Sequence, residues 1–299
     1  MNHEPFGGLW TALVTPFEEG DGVQNDIDYT ALTGLIERQI QGGVDGILLL
    51  GTTAENPTLT REEGYDIVTF AIEKIRARTN VMVNIGNYST GDSLENLRQY
   101  DRVDGIDAYL IVNPYYNKPT QEGLYRHFTT LADATRRPVF LYNIRGRTCV
   151  NLETDTLRRI VDHSPNVVGV KEASGDLAQM QEVIQCMPTD FTVLSGDDSL
   201  TYDLTQIEGD GVISVTSNCL PGEMKEFVDE CLERTQKAQE LNIKYRELFA
   251  NMFLQTNPLP AKTYLAHKGL IHETFRLPMC PMDMAKREEF LDFIAQNEY

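Results

Sequence analysis

The stretch Val167-Val168-Gly169-Val170-Lys171-Glu172 is an apolar run that stops at a charged pair. Near-continuous apolarity of this kind belongs to a parallel strand covered on both faces, whereas a half-exposed strand alternates apolar with polar residues. Similar β-type runs occur at residues 9–17, 46–50, 81–85, 108–112, 139–142, 191–194 and 211–215. Together with 167–170 they make about eight strands, with longer amphipathic stretches between them. Those stretches carry helix punctuation. Thr60 and Glu63 stand at capping-box spacing, and Gly42-Gly43 can close the helix that precedes the second strand. Eight strand–helix units form either a closed barrel or an open doubly wound sheet. No Gly-x-Gly-x-x-Gly follows the first strand to mark a dinucleotide fold, so the expectation is an α/β protein of the (β/α)8 TIM-barrel class.

Beyond the eighth strand, helical patterns at 224–250 and 283–297 are joined through Pro258, Pro260 and Pro278, and read as barrel helix 8 plus a helical C-terminal extension. Residues 1–223 then hold the strands and the first seven helices, and 224–299 belong to the same domain unit. Length permits this: 299 residues suit one barrel of about 250 residues with an extension. The composition, 41% hydrophobic and 24% charged, is that of a globular chain rather than a disordered one. A formal net charge of −19 repels a phosphate backbone, which argues against nucleic acid as a partner. An anionic substrate would meet the same repulsion and needs a local cation in its pocket. No run approaches the length of a membrane span, and residues 1–8 lack the design of a signal peptide, so a cytoplasmic protein is expected. The five cysteines are an odd number without a Cys-x-x-Cys pair, which fits free thiols in a reducing compartment.

Active sites of α/β barrels lie at the C-terminal ends of the strands, so the polar residues there are the candidates. Among the lysines only Lys171 terminates an interior strand; the others, Lys262 included, fall on helices or loops. An amine in an apolar barrel mouth loses hydration of its charged form, which lowers its pKa and leaves neutral nucleophile for a ketone. A structural ion pair with Glu172 or a neighbouring Asp is the competing interpretation. Tyr142, Thr52 and Tyr116 stand at other strand ends and could relay protons once an iminium forms, or simply pack with satisfied hydroxyls. Arg147 could supply the missing local cation through its planar fork, or remain a solvated surface residue. Metal chemistry finds no support: the histidines are scattered without ligand spacing, and Asp197-Asp198 reads as a turn. The loop Thr216-Ser217-Asn218-Cys219-Leu220-Pro221-Gly222 has neither the glycines nor the basic residue of a phosphate cradle.

In order along the chain stand Ala12-Leu13-Val14-Thr15-Pro16-Phe17, Gly51-Thr52-Thr53, Pro114-Tyr115-Tyr116, Tyr142-Asn143, Gly169-Val170-Lys171-Glu172-Ala173, Ser195-Gly196-Asp197 and Arg276-Leu277-Pro278-Met279. With these segments the chain resembles the dihydrodipicolinate synthase and N-acetylneuraminate lyase family from about residue 8 to residue 281. The resemblance implies a pyruvate Schiff base on Lys171, a relay of Tyr142, Thr52 and Tyr116, and a pyruvyl carboxylate held by Thr53. Tyr116 would come from a neighbouring subunit, backbone at Gly196 and Ile213 would line the pocket, and the assembly would be a homotetramer built from two tight dimers. No metal or organic cofactor is implied. Thr52-Thr53 and Arg147-Thr148 resemble the synthase branch, which condenses pyruvate with aspartate semialdehyde in lysine and diaminopimelate biosynthesis. A retro-aldolase acting on a sugar acid or another 2-oxo acid is the alternative, and a non-catalytic oxo-acid-binding protein a second. The chain departs from the family pattern at Ala54, Asn56 and Arg145, the last where proline normally stiffens the loop. Lysine-inhibited members carry polar and histidine side chains where this chain has Asn56, Pro57, Arg61 and Gly64, so feedback by lysine does not carry over.

Overall fold

The computed structural model describes residues 6–299. The part of the amino-terminal reading that concerns residues 1–5, and His3 with it, lies outside them. Eight parallel strands among the described residues close into a barrel in sequence order: β1 (Gly8–Ala12), β2 (Gly46–Leu49), β3 (Asn80–Asn84), β4 (Ala108–Val112), β5 (Val139–Asn143), β6 (Val167–Glu172), β7 (Thr192–Ser195) and β8 (Gly211–Ser214). β8 returns to pair with β1, which leaves no open edge.

Alternation along each strand sorts side chains into two apolar layers. Trp10, Ala12, Leu48, Met82, Leu110, Phe140, Tyr142, Leu194 and Ile213 fill the barrel interior. The intervening residues, such as Leu9, Ile47, Val83, Ile111 and Val170, face the helices, in a layer that continues to Phe290 and Ile294 near the C-terminus. Gly169 is required by this packing: a Cβ there would stand 2.2 Å from Cε1 of Phe140.

The bottom of the barrel solves a bookkeeping problem of the backbone. A buried backbone N–H near the start of a strand needs an acceptor, and at the second residue of β1, β3 and β7 a side chain provides it. Asp45 accepts from Leu9 N at 2.8 Å, Asp107 from Val81 N at 2.7 Å and Asp210 from Val193 N at 2.7 Å. Each aspartate directly precedes the following even strand, and its own N–H returns a bond to the carbonyl of the same residue. Between β5 and β6 the backbone carbonyl of Asn166 does this work instead, taking Val139 N at 2.8 Å.

The helices follow in the expected places: α1 (Tyr29–Gln41), α2 (Arg61–Ile75), α3 (Thr90–Tyr100), α4 (Gln121–Ala132), α5 (Arg145–Thr148), α6 (Thr154–His163), α7 (Leu177–Cys186), α8 (Thr201–Gln206), α9 (Pro221–Glu233), α10 (Gln236–Asn251), α11 (Leu259–His267) and α12 (Met284–Gln296). Thr60 and Glu63 form the capping box on α2, and Gly42 caps α1.

Three expectations change. The run 9–17 is a strand only to Ala12; beyond it the chain leaves the ladder, Val14 N bonds the side chain of Asn218, and Phe17 bridges Ile27 instead. Pro16 has no N–H to continue a ladder. The pattern at 224–250 is two helices, because Arg234 adopts the left-handed conformation at φ 54 and Thr235 caps a new start. The proline-rich connector holds a helix of its own, α11, with Pro260 in its first turn, where a missing N–H costs nothing.

Candidate active site

β6 ends two residues later than the apolar run, so Lys171 is still in the ladder, opposite Tyr142 on β5 and Leu194 on β7. Because side chains alternate, Lys171 shares the interior face with Tyr142, and Glu172 points the other way, into the helix layer. There Glu172 accepts from Asn143, the backbone of Ser174 and Gln179, so the Lys171–Glu172 ion pair is not formed.

Lys171 is 5% exposed, with its Nζ 4.4 Å from the centroid of the Tyr142 ring. Burial pushes its amine down to about 7; the buried Asp198 carboxylate resists this and the Arg147 guanidinium reinforces it. Burial likewise drives the Tyr142 phenol up to about 12, against the pull of the Arg147 charge and a hydrogen bond with Thr52. Thr52, Tyr142, Lys171 and Arg147 are thus one electrostatic cluster.

Gly196 presses against this cluster from β7. A Cβ at Gly196 would lie 2.5 Å from the Ala173 Cβ and 3.1 Å from Lys171 Cε, so a larger residue would push the lysine stem aside. Ile213 is wholly buried in the interior layer beneath the mouth. Thr53, 2% exposed, accepts Asn257 Nδ2 on its hydroxyl at 2.9 Å. Its own hydroxyl proton is thereby left to donate.

A cavity of about 210 Å³ opens over the mouth, lined in part by Gly51, Thr52, Asn84, Tyr115, Ile144 and Arg147. Arg147 is exposed there and is steadied by the Asn257 carbonyl at 3.2 Å and Thr256 Oγ1 at 3.4 Å. Arg145, two residues earlier on α5, lines a different groove with Lys118, Cys149 and Glu153. Positions two apart on a helical turn face nearly opposite sides. The extra cation therefore does not enter the mouth. Tyr116 is not gathered with Lys171 within one chain: it is 90% exposed at φ 73, on the loop after β4.

Sequence reasoning treated Asp197-Asp198 as a turn, and it is one: Asp197 caps Ser199, while Asp198 Oδ2 accepts from Val215 N, Thr216 N and Thr216 Oγ1. Its electrostatic reach to Lys171 went unnoticed, although its place after β7 was a usable signal. Asn257 and Lys262 were missed because nothing in their local pattern distinguishes them from capping or surface residues, and Glu55, though at the end of the second strand, had no role assigned. Beside the mouth lies a second cavity, of about 350 Å³, bordered by Asn56, Pro57, Arg61, Gly64 and Asp92. Arg61 there pairs with Asp92 at 3.2 Å and with Glu95. All five cysteines are free thiols, and no helix among the described residues is long and apolar enough to cross a membrane.

Known proteins match over almost the full length of the chain. A 4-hydroxy-tetrahydrodipicolinate synthase of Hydrogenobaculum sp. is 41% identical over 291 residues, 97% of this chain and 98% of the relative. The crystal structure of dihydrodipicolinate synthase from Aquifex aeolicus superposes with a TM-score of 0.94 at 37% identity, covering 98% of each chain. The chloride-inhibited dihydrodipicolinate synthase of Acinetobacter baumannii, complexed with pyruvate, superposes with a TM-score of 0.93 at 36% identity, covering 98% of this chain and 99% of that one. Residues 5–297 match the dihydrodipicolinate synthetase family, and the chain belongs to that family.

Proposed function

We propose that the chain is a class I, Schiff-base-forming lyase that condenses pyruvate with aspartate semialdehyde to 4-hydroxy-tetrahydrodipicolinate. The observation that carries this is the amine of Lys171, buried on the interior face of β6 against Tyr142 and pushed down to about 7. At neutral pH a large fraction of such an amine is uncharged and nucleophilic.

The neutral amine attacks C2 of pyruvate, and loss of water from the carbinolamine leaves an iminium. Loss of a C3 proton gives an enamine whose C3 attacks the aldehyde carbon of the second substrate. The amino group of that substrate then attacks C2 and displaces Lys171, closing the ring and freeing the enzyme. Tyr142 and Thr52, electrostatically coupled at the mouth, relay the protons, with Tyr116 of a neighbouring subunit completing the chain. The free hydroxyl proton of Thr53 binds the pyruvyl carboxylate. Arg147, at the rim, receives the carboxylate of the second substrate and supplies the local cation that a chain of net charge −19 needs. Backbone at Gly196 and Ile213 lines the pocket. The assembly proposed is a homotetramer, a dimer of dimers, in the cytoplasm.

Intact mass after pyruvate and borohydride treatment, parent against Lys171→Ala, tests the central step. A reduced pyruvyl adduct on the parent alone is expected; a folded parent without adduct would sink the proposal. Adding aspartate semialdehyde, or instead a sugar acid, then separates the synthase from a retro-aldolase by product.

A further inference from the structure

The turn that follows β2 ends on Glu55 in the left-handed conformation, φ 54, which L-residues rarely adopt. From there its carboxylate points into the protein. Oε1 accepts from Lys262 Nζ at 2.6 Å, and Oε2 from the backbone N–H of Arg276 at 3.2 Å. Both charged side chains are sealed from water, Lys262 at 0% and Glu55 at 1% exposure. The ammonium also sits 4.4 Å from the Phe17 ring and 4.7 Å from the Phe275 ring. Arg276 is itself pinned, its guanidinium to Glu63 and to the carbonyls of Asn25 and Thr58.

An ion pair this deep is a poor way to gain stability, since apolar residues of like volume often hold as well. It adds direction. Two carboxylate oxygens held by two separate donors fix the orientation of Glu55, and Glu55 N bonds the carbonyl of Thr52 at 3.1 Å across the 3-10 turn. A shift of Glu55 is therefore a shift of Thr52. Asn257, five residues before Lys262, holds the Thr53 hydroxyl and, through its carbonyl, Arg147.

We propose that the buried Glu55–Lys262 pair positions the Thr52 and Thr53 hydroxyls over Lys171, so that α11 of the C-terminal extension sets the geometry of the barrel mouth. This rests on Lys171 being the pyruvate-binding amine. Glu55 and Lys262 are positioning residues and touch no substrate.

The test uses the full chain as the double variant Glu55→Leu/Lys262→Met, with Glu55→Gln/Lys262→Met, which also leaves no buried charge, as the second variant should the first not fold. Pyruvate and borohydride trapping, read by intact mass, counts competent sites, and steady-state rates with both substrates are divided by that count. The expected result is a per-site kcat lowered roughly ten- to a hundredfold, the penalty of a small misplacement, with a raised KM for pyruvate. A merely structural pair would lower the number of trapped sites and leave per-site kcat and KM unchanged, and that result in either folded variant overturns the proposal. A parent that traps no pyruvate would instead overturn the assignment of Lys171.

Discussion

The amine of Lys171 stands 4.4 Å above the ring of Tyr142, across a single rung of the barrel between β6 and β5. A ring face favours the charged amine, as does the buried carboxylate of Asp198, yet burial outweighs both and leaves the amine near 7. That balance has measurable consequences.

The rate of adduct formation with pyruvate is expected to rise with pH through about 7 and then level, since the proposed nucleophile is the neutral amine. Asp198→Asn removes a charge that raises this pKa, so the limb moves to lower pH. Borohydride trapping rates across pH 5–10 check both; a limb near about 10, the ordinary lysine value, would mean the amine is not desolvated.

Tyr142→Phe and Thr52→Val each remove one hydroxyl of the proposed relay. Each is expected to slow turnover roughly 10²–10⁴-fold, and the double variant to lose little more than the worse single, because the two act as one relay. Stopped-flow rates on the four proteins give the coupling; additive losses would show independent roles.

Tyr116 projects from its own chain into solvent, 90% exposed, in a left-handed conformation. If it completes the relay of a neighbour, activity per subunit falls on dilution in step with dissociation, as followed by sedimentation. In mixtures, chains carrying Tyr116→Phe and chains carrying Lys171→Ala restore part of the lost turnover, because some sites then combine an intact Lys171 with an intact partner tyrosine. Full activity in an isolated monomer would remove Tyr116 from the reaction.

His127, on α4, is buried, touches Thr90 Oγ1 at 2.9 Å through Nδ1, and is held down to about 4 by desolvation. The unfolded chain takes up this proton near pH 6.5, well before the folded one, so between those values the unfolded state binds more protons. Stability is therefore complete above about 6.5 and declines as pH falls toward 4, by about 3 kcal/mol for this group. Urea midpoints at pH 7 and pH 4 are expected to differ less in His127→Gln than in the parent.

Much of this protein is written locally. A buried parallel strand must be apolar on both faces, so eight such runs announce the barrel, and the charged residue that ends the sixth announces the proposed site. Alternation then assigns Lys171 to the interior and Glu172 to the helices without further information. Capping chemistry works over the same short range, which is why Thr60, Glu63 and Gly42 were legible. The first strand was read too long because an apolar run continues past Pro16 while the ladder does not.

The tertiary structure decided what depends on distant partners. Lys262 and Glu55 meet across 207 residues of chain, and each alone resembles a solvated charge on a helix or turn. Arg145 and Arg147 look equivalent in sequence, and only the winding of α5 sends one to the mouth and the other to a separate groove. The burial of Lys171 could be read from sequence because the interior position of a strand residue follows from its neighbours in the chain. The hydroxyls of Thr52 and Tyr142 were also candidates by their place at strand ends, but the Asn257 bond to Thr53 and the Glu55–Lys262 pair were not, because those contacts exist only once the barrel has closed.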